Sequence, residues 1–148
     1  MASIFERIQD ETKDAMRARD TERATALRML TSALKNKQID LRRELTDEDA
    51  IDVLSTEAKK RREASEAYRT GGRDELADKE ERELHLVEKY LPQQLTDAEA
   101  SAIVAEAITE SGAESRRDMG KVMAVVMPRL KGRYDGSKVK DLVMAKLD

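Results

Sequence analysis

Apolar residues recur along the chain at intervals of three and four. Ile4, Ile8 and Ala15 mark one stripe, and Leu27, Leu30, Leu34 and Leu41 mark a second. Further on stand Ile103, Val104, Ala107 and Ile108, then Met119, Val122, Met123, Val126 and Leu130, then Val139, Leu142, Val143 and Leu147. Residues spaced this way share one face of an α-helix, whereas a half-buried strand alternates at every second residue. No segment sustains that alternation. The pattern predicts an all-α fold of about seven helices, near 4–19, 21–42, 47–70, 73–90, 97–111, 117–130 and 136–147.

Local punctuation supports these limits. Ser3-Ile4-Phe5-Glu6, Thr46-Asp47-Glu48-Asp49, Thr96-Asp97-Ala98-Glu99 and Ser115-Arg116-Arg117-Asp118 each place a hydroxyl three residues before an acid. Such a hydroxyl accepts from an orphan backbone N–H of the first turn, and the acid favours the positive end of the helix. Gly71-Gly72, Pro92, Gly112 and Gly132 read as stops.

Charge changes the picture in the middle of the chain. Residues 57–83 hold 17 charged side chains among 27, with Tyr68 and Leu76 the sizeable apolar ones, so this stretch cannot be the centre of a core. It predicts two long, mostly solvated helices meeting at Gly71-Gly72, steadied by pairs such as Glu57 with Arg61. Beyond residue 100 the apolar density rises and the helices shorten. Two parts are expected: an N-terminal helical domain over 1–92 and a three-helix tail domain over 96–148, joined by a linker at 93–95.

Composition sets outer bounds. Leu, Ile, Val and Phe number 29 of 148 residues, close to the roughly 20% below which highly charged chains stay disordered, yet the net charge is only −3. A folded protein is expected. The longest uncharged runs are seven residues, far short of the roughly 20 that a membrane span needs. Residues 1–10 include Glu6, Arg7 and Asp10 and no apolar run of the secretory type. The chain has no cysteine, which removes disulfides, thiolate metal sites and cysteine nucleophiles. A cytoplasmic protein with no membrane partner is the expectation.

Catalytic chemistry finds little support. His85, the one histidine, has Glu81 four residues before it and Glu88 three after, but a di-metal bundle wants a second Glu-x-x-His, and a surface histidine is the expected reading. Serines stand mainly at caps and turns, no glycine-rich phosphate loop is present, and no catalytic residue, metal or cofactor is assigned. Gly120 interrupts an apolar helical pattern, which predicts a close helix contact there, with a backbone approach to a ligand as the alternative. Met119, Met123 and Met127, at i, i+4 and i+8, are expected in the core. The run Lys59-Lys60-Arg61-Arg62 wraps around its helix rather than forming a patch, because each residue turns by about 100°.

The tail is the exception. Residues 116–146 contain nine cations and three carboxylates, whereas residues 93–113 contain four carboxylates and no cation. Arg116, Arg117, Lys121, Arg129, Lys131, Arg133 and Lys138 are therefore candidate contacts to phosphates. Lys131-Gly132-Arg133-Tyr134-Asp135-Gly136 would form a cationic inter-helix loop whose tyrosine is suited to stacking on a base or sugar. A solubilising turn capped by Asp135 is the bland alternative, and composition does not separate the two.

Longer motifs extend this reading. Arg28-Met29-Leu30 with Asn36 and Ile39, Lys60-Arg61-Arg62-Glu63, Gly72-Arg73-Asp74-Glu75-Leu76 and Tyr90-Leu91-Pro92-Gln93-Gln94-Leu95 occur in order. Asp118-Met119-Gly120-Lys121-Val122-Met123, Met127-Pro128, Lys131-Gly132-Arg133 and Asp135-Gly136 follow. Through these motifs the chain resembles the GatB/YqeY family over essentially its whole length. The resemblance implies a two-part helical protein like the C-terminal and tail domains of GatB, the B subunit of the glutamine-dependent aspartyl/glutamyl-tRNA amidotransferase. In GatB those domains grip tRNA and the reaction belongs to an upstream domain with no counterpart here. What carries over is a binding role, chiefly on Lys121, Lys131 and Arg133, with Gly120 and Gly132 supporting the backbone. The expected function is non-catalytic binding of tRNA or another structured RNA. An accessory role docked to an amidotransferase or aminoacyl-tRNA synthetase is the alternative, and participation in carbon–nitrogen ligation with glutamine as amide donor has the least support.

Overall fold

Among the described residues stand seven α-helices, near the expected limits: α1 (Ile4–Arg17), α2 (Thr21–Leu41), α3 (Asp47–Thr70), α4 (Asp74–Glu88), α5 (Asp97–Ser111), α6 (Met119–Leu130) and α7 (Gly136–Lys146). The structure, a computed structural model, describes residues 2–147, and among these there is no strand. Ser3, Thr46 and Thr96 each accept from the backbone N–H three residues on, while Glu6, Asp49 and Glu99 reach back to the cap, completing three capping boxes. Ser115 instead caps a short 3-10 turn, Arg116–Asp118, so α6 starts two residues later than the periodicity predicts.

The chain divides into two compact units between Leu91 and Pro92. In the first, α1 packs on α2 and α3 on α4 across short turns, around the fully buried Ile8, Leu27, Leu34 and Leu54. Burying a leucine or isoleucine side chain contributes on the order of 1.5–3 kcal/mol, so these few positions carry much of the unit. In the second, α5, α6 and α7 surround Val104, Val122, Val126, Leu130, Val139 and Val143.

The α3–α4 hairpin is less solvated than its composition suggests. Ala58 and Ser65 on α3 and Ala77 on α4 are buried, and charged side chains fill the space between the helices. The Arg61 guanidinium lies 3.0 Å from Glu83, 3.4 Å from Glu80 and 3.9 Å from the anticipated Glu57. Arg69 reaches Asp78 at 2.7 Å and Glu81 at 2.9 Å, and Ser65 donates to Glu81 at 3.1 Å. Periodicity on one helix cannot show this, because the partners come from the facing helix. Lys59 and Lys60 pair with Glu63 and Glu57, so the basic run is dispersed.

Candidate nucleic-acid interface

The cationic loop of the tail is built by its backbone. At the end of α6 the Lys131 N–H donates to the Met127 carbonyl at 2.9 Å, and the Arg133 N–H donates to the Leu130 carbonyl at 2.9 Å. Between them Gly132 takes a φ of +75° and is buried. L-residues rarely adopt that conformation, which explains a glycine here. Asp135 then caps α7, accepting from the Ser137 N–H at 3.0 Å and the Ser137 hydroxyl at 2.7 Å.

A segment nearly forty residues upstream holds this loop in place. The Gln94 side-chain amide donates to the Gly132 carbonyl at 2.7 Å and to the Pro92 carbonyl at 3.0 Å. The Leu95 N–H donates to the Arg133 carbonyl at 2.8 Å. The Tyr134 hydroxyl donates to Asp97 at 2.6 Å. Residues 93–95, read from the sequence as a linker, therefore form a strap against the loop. Gln93-Gln94-Leu95 and the motif Lys131-Gly132-Arg133 meet in space.

The candidate cations separate into two groups. Arg116, Arg117 and Lys121, all exposed, stand at the start of α6; Lys131, Arg133 and Lys138 stand around its other end. Ten helical residues between Lys121 and Lys131 span about 15 Å and turn the second group by about 80° from the first. Lys131 and Lys138 are exposed. Arg133 is half-buried, with its Nε donating to the Gln93 carbonyl at 3.5 Å, at the limit of a hydrogen bond. Arg129 is turned toward α5, where its guanidinium bonds Glu110, with one contact at 3.3 Å. Lys121 lies 3.8 Å from Asp118 with its side chain 68% exposed, a pair that water screens strongly.

Electrostatics follow these contacts. The hydrogen bond from Arg129 holds the Glu110 carboxyl below its usual range. Asp118 is lowered chiefly by the backbone N–H of Glu114 and less by Lys121, so the cation is not its main partner. Glu99 is lowered first by the Thr96 backbone and least by Arg133. Arg129 is thus engaged closely by a carboxylate on the neighbouring α5.

Three expectations need correction. The Tyr134 ring packs against the tail core and its hydroxyl is taken by Asp97, so it is not a free stacking platform. Burial first, and Asp97 second, pushes its phenol up to about 12. At Gly120 an added Cβ would meet no atom within 4 Å, and the residue is exposed, so no helix contact demands glycine there. Met119 and Met123 pack on the core as expected, but Met127 is 37% exposed. Residues at i, i+4 and i+8 drift by about 40° per step, which carries the third off the buried face. His85 is exposed, and Glu81 is committed to Arg69 and Ser65. Sequence reasoning missed Gln94, Leu95 and Asp97, whose roles depend on contact with a distant loop.

A family model described as Yqey-like protein matches residues 5–147. Among curated proteins the chain is similar to Altered inheritance of mitochondria protein 41, mitochondrial, of Eremothecium gossypii, at 35% identity over 85 residues, covering 57% of this chain and 46% of that protein. The protein of the same name from Lachancea thermotolerans is 34% identical over 106 residues, covering 70% of this chain and 57% of that protein. The Saccharomyces cerevisiae protein is 33% identical over 87 residues, covering 58% and 47%. The chain spans about half the length of the curated relatives it matches. These names overturn the cytoplasmic expectation, since the relatives are named as mitochondrial proteins. The absence of cysteine and of a secretory-type apolar run bears on the export route alone and never distinguished one interior compartment from another.

Proposed function

The chain belongs to the YqeY-like protein family, and from that membership together with the strapped cationic loop we propose that it is a non-catalytic module that binds tRNA or another structured RNA. The observation that carries the reading is the Gln94 bridge to Gly132. A loop whose backbone is fixed by side-chain and backbone hydrogen bonds carries Lys131 at a reduced backbone ordering cost on binding. A sugar-phosphate backbone laid along α6 meets Lys131 and Lys138 at one end and Arg116, Arg117 and Lys121 at the other. Recognition of this kind rests on backbone shape and charge and needs no exposed aromatic.

Engagement of about four phosphates gives a log–log salt slope of roughly −3 to −4. Titration of labelled tRNA at two salt concentrations, with the parent chain and with Lys131→Ala and Arg133→Ala, tests this. Salt-dependent binding weakened in both variants supports the reading. No binding at low salt, or variants that match the parent, removes it.

A further inference from the structure

A second surface lies in the other unit and is independent of the RNA reading. Along α2, Glu22, Ala26, Met29, Ala33 and Asp40 fall within about 60° of one another at 100° per residue. Three clefts adjoin this stripe. The first, about 210 Å³, lies between α2 and α4; the second, about 20 Å³, sits at Met29; the third, about 280 Å³, lies between α2 and α3. The first and second share Ala26, Glu83 and Leu86, and the second and third share Glu57, so the three lie end to end as one row along α2. The eighteen helical rises from Glu22 to Asp40 give it a length of about 27 Å.

The floor is apolar, made of Ala26, Met29, Ala33, Val53 and Leu86. Met29 is 49% exposed, while Leu27, Leu30 and Leu34 on the same helix are at most 4% exposed. An exposed thioether adapts readily to incoming apolar side chains. The walls are acidic, with six carboxylates against four cations among the lining residues. At its centre Glu57 and Glu83 meet the Arg61 guanidinium, which Glu80 also approaches, and Glu57 pairs with Lys60 as well. The Glu80 Oε2 and Arg61 Nε atoms are buried there without a hydrogen bond.

We propose that this groove docks an amphipathic helix of a partner protein whose apolar face is flanked by lysine or arginine. Charge complementarity selects the occupant: an apolar stripe covers Met29 and its neighbours, and the flanking cations face the excess of carboxylates over cations in the walls. The groove length suits a helix of about five turns.

The test uses the full chain and two synthetic helical peptides with leucine at i, i+3, i+4 and i+7, one carrying lysine and the other glutamate at the flanking positions. Binding is followed by fluorescence anisotropy and by backbone amide shifts. The lysine peptide is expected to bind saturably, shifting Ala26, Met29, Ala33 and Leu86, and to weaken by about tenfold or more with Met29→Lys or Asp40→Lys. Both substitutions are at exposed positions, so the fold is retained, and the Lys131→Ala chain should bind the peptide like the parent. Equal binding of the two peptides, shifts centred elsewhere, or indifference to Met29→Lys overturns the proposal. So does a dimer of the free chain in sedimentation that Met29→Lys abolishes, or the same amide shifts on adding tRNA.

Discussion

The Tyr90 hydroxyl donates a 2.5 Å hydrogen bond to the Glu11 carboxylate, linking the segment after α4 to the middle of α1 across 79 residues of sequence. Lys89 and Arg23 reach the same carboxylate at 2.8 and 3.3 Å, and the Arg7 guanidinium lies 5.4 Å from the Tyr90 ring centre. Tyr90 is buried, so its polar tip needs a partner. Tyr90→Phe should cost about 1–2 kcal/mol, less than leaving a buried charge unpaired because Lys89 and Arg23 remain beside Glu11. Urea unfolding followed by circular dichroism checks the value.

The same cluster sets an acid dependence. Burial raises the Glu11 carboxyl, but the hydrogen bonds from Lys89 and Tyr90 outweigh it, and the net position is below the usual range. A group lowered on folding contributes stability that is complete above its unfolded value and is lost as the pH falls through its folded value. Glu11→Gln should therefore flatten the fall in unfolding free energy below the ordinary glutamate range. An unchanged acid limb would show that other carboxylates govern it.

In the hairpin, Arg61 and Arg69 should differ. The Arg61 side chain is 19% exposed and faces three carboxylates, whereas Arg69 is 41% exposed. Arg61→Ala takes the counter-ion from Glu80 and Glu83, whose side chains are only 16% and 13% exposed, and should cost about 2–4 kcal/mol. Arg69→Ala should cost at most about 1 kcal/mol, since surface pairs are weak. Parallel denaturation of the two variants decides.

At alkaline pH the tail has its own signature. Tyr134, pushed up to about 12, favours the folded state fully below the ordinary phenol value, and that contribution is lost as the pH rises through about 12. Tyr134→Phe should remove this step from the alkaline unfolding curve of the tail, which near-neutral stability measurements would not detect.

Much of the helical framework was legible in the chain. The capping boxes at Ser3, Thr46 and Thr96 and the stripe through Leu27, Leu30 and Leu34 act within one or two turns, so local spacing suffices to read them. Arg19 and Arg42 were not legible: both take a positive φ, at 59° and 54°, where the sequence offers no glycine to signal it. The candidate interface was readable as a set of cations and unreadable as a shape. Nothing in the spacing of Gln94 and Gly132 announces their bond, and the diversion of Arg129 to Glu110 depends on how α5 packs against α6. Tyr134 misled for the same reason, because an aromatic in a polar loop can serve the core from its edge.

The strap separates positioning from charge. Gln94→Ala removes the side-chain bond to the Gly132 carbonyl of the loop, along with the local one to Pro92, while leaving every cation in place, and it should weaken tRNA binding severalfold with an unchanged salt slope. Lys131→Ala should instead reduce the slope by about one.

The most direct measurement of the central claim is the set of backbone amide shifts of the isotope-labelled full chain on adding tRNA at low salt. Binding at the strapped loop should move Lys131, Gly132 and Arg133 together with Gln94 and Leu95, and leave α3 and α4 unmoved. Shifts confined to the α3–α4 hairpin, or none at saturating tRNA, would contradict an RNA-binding tail.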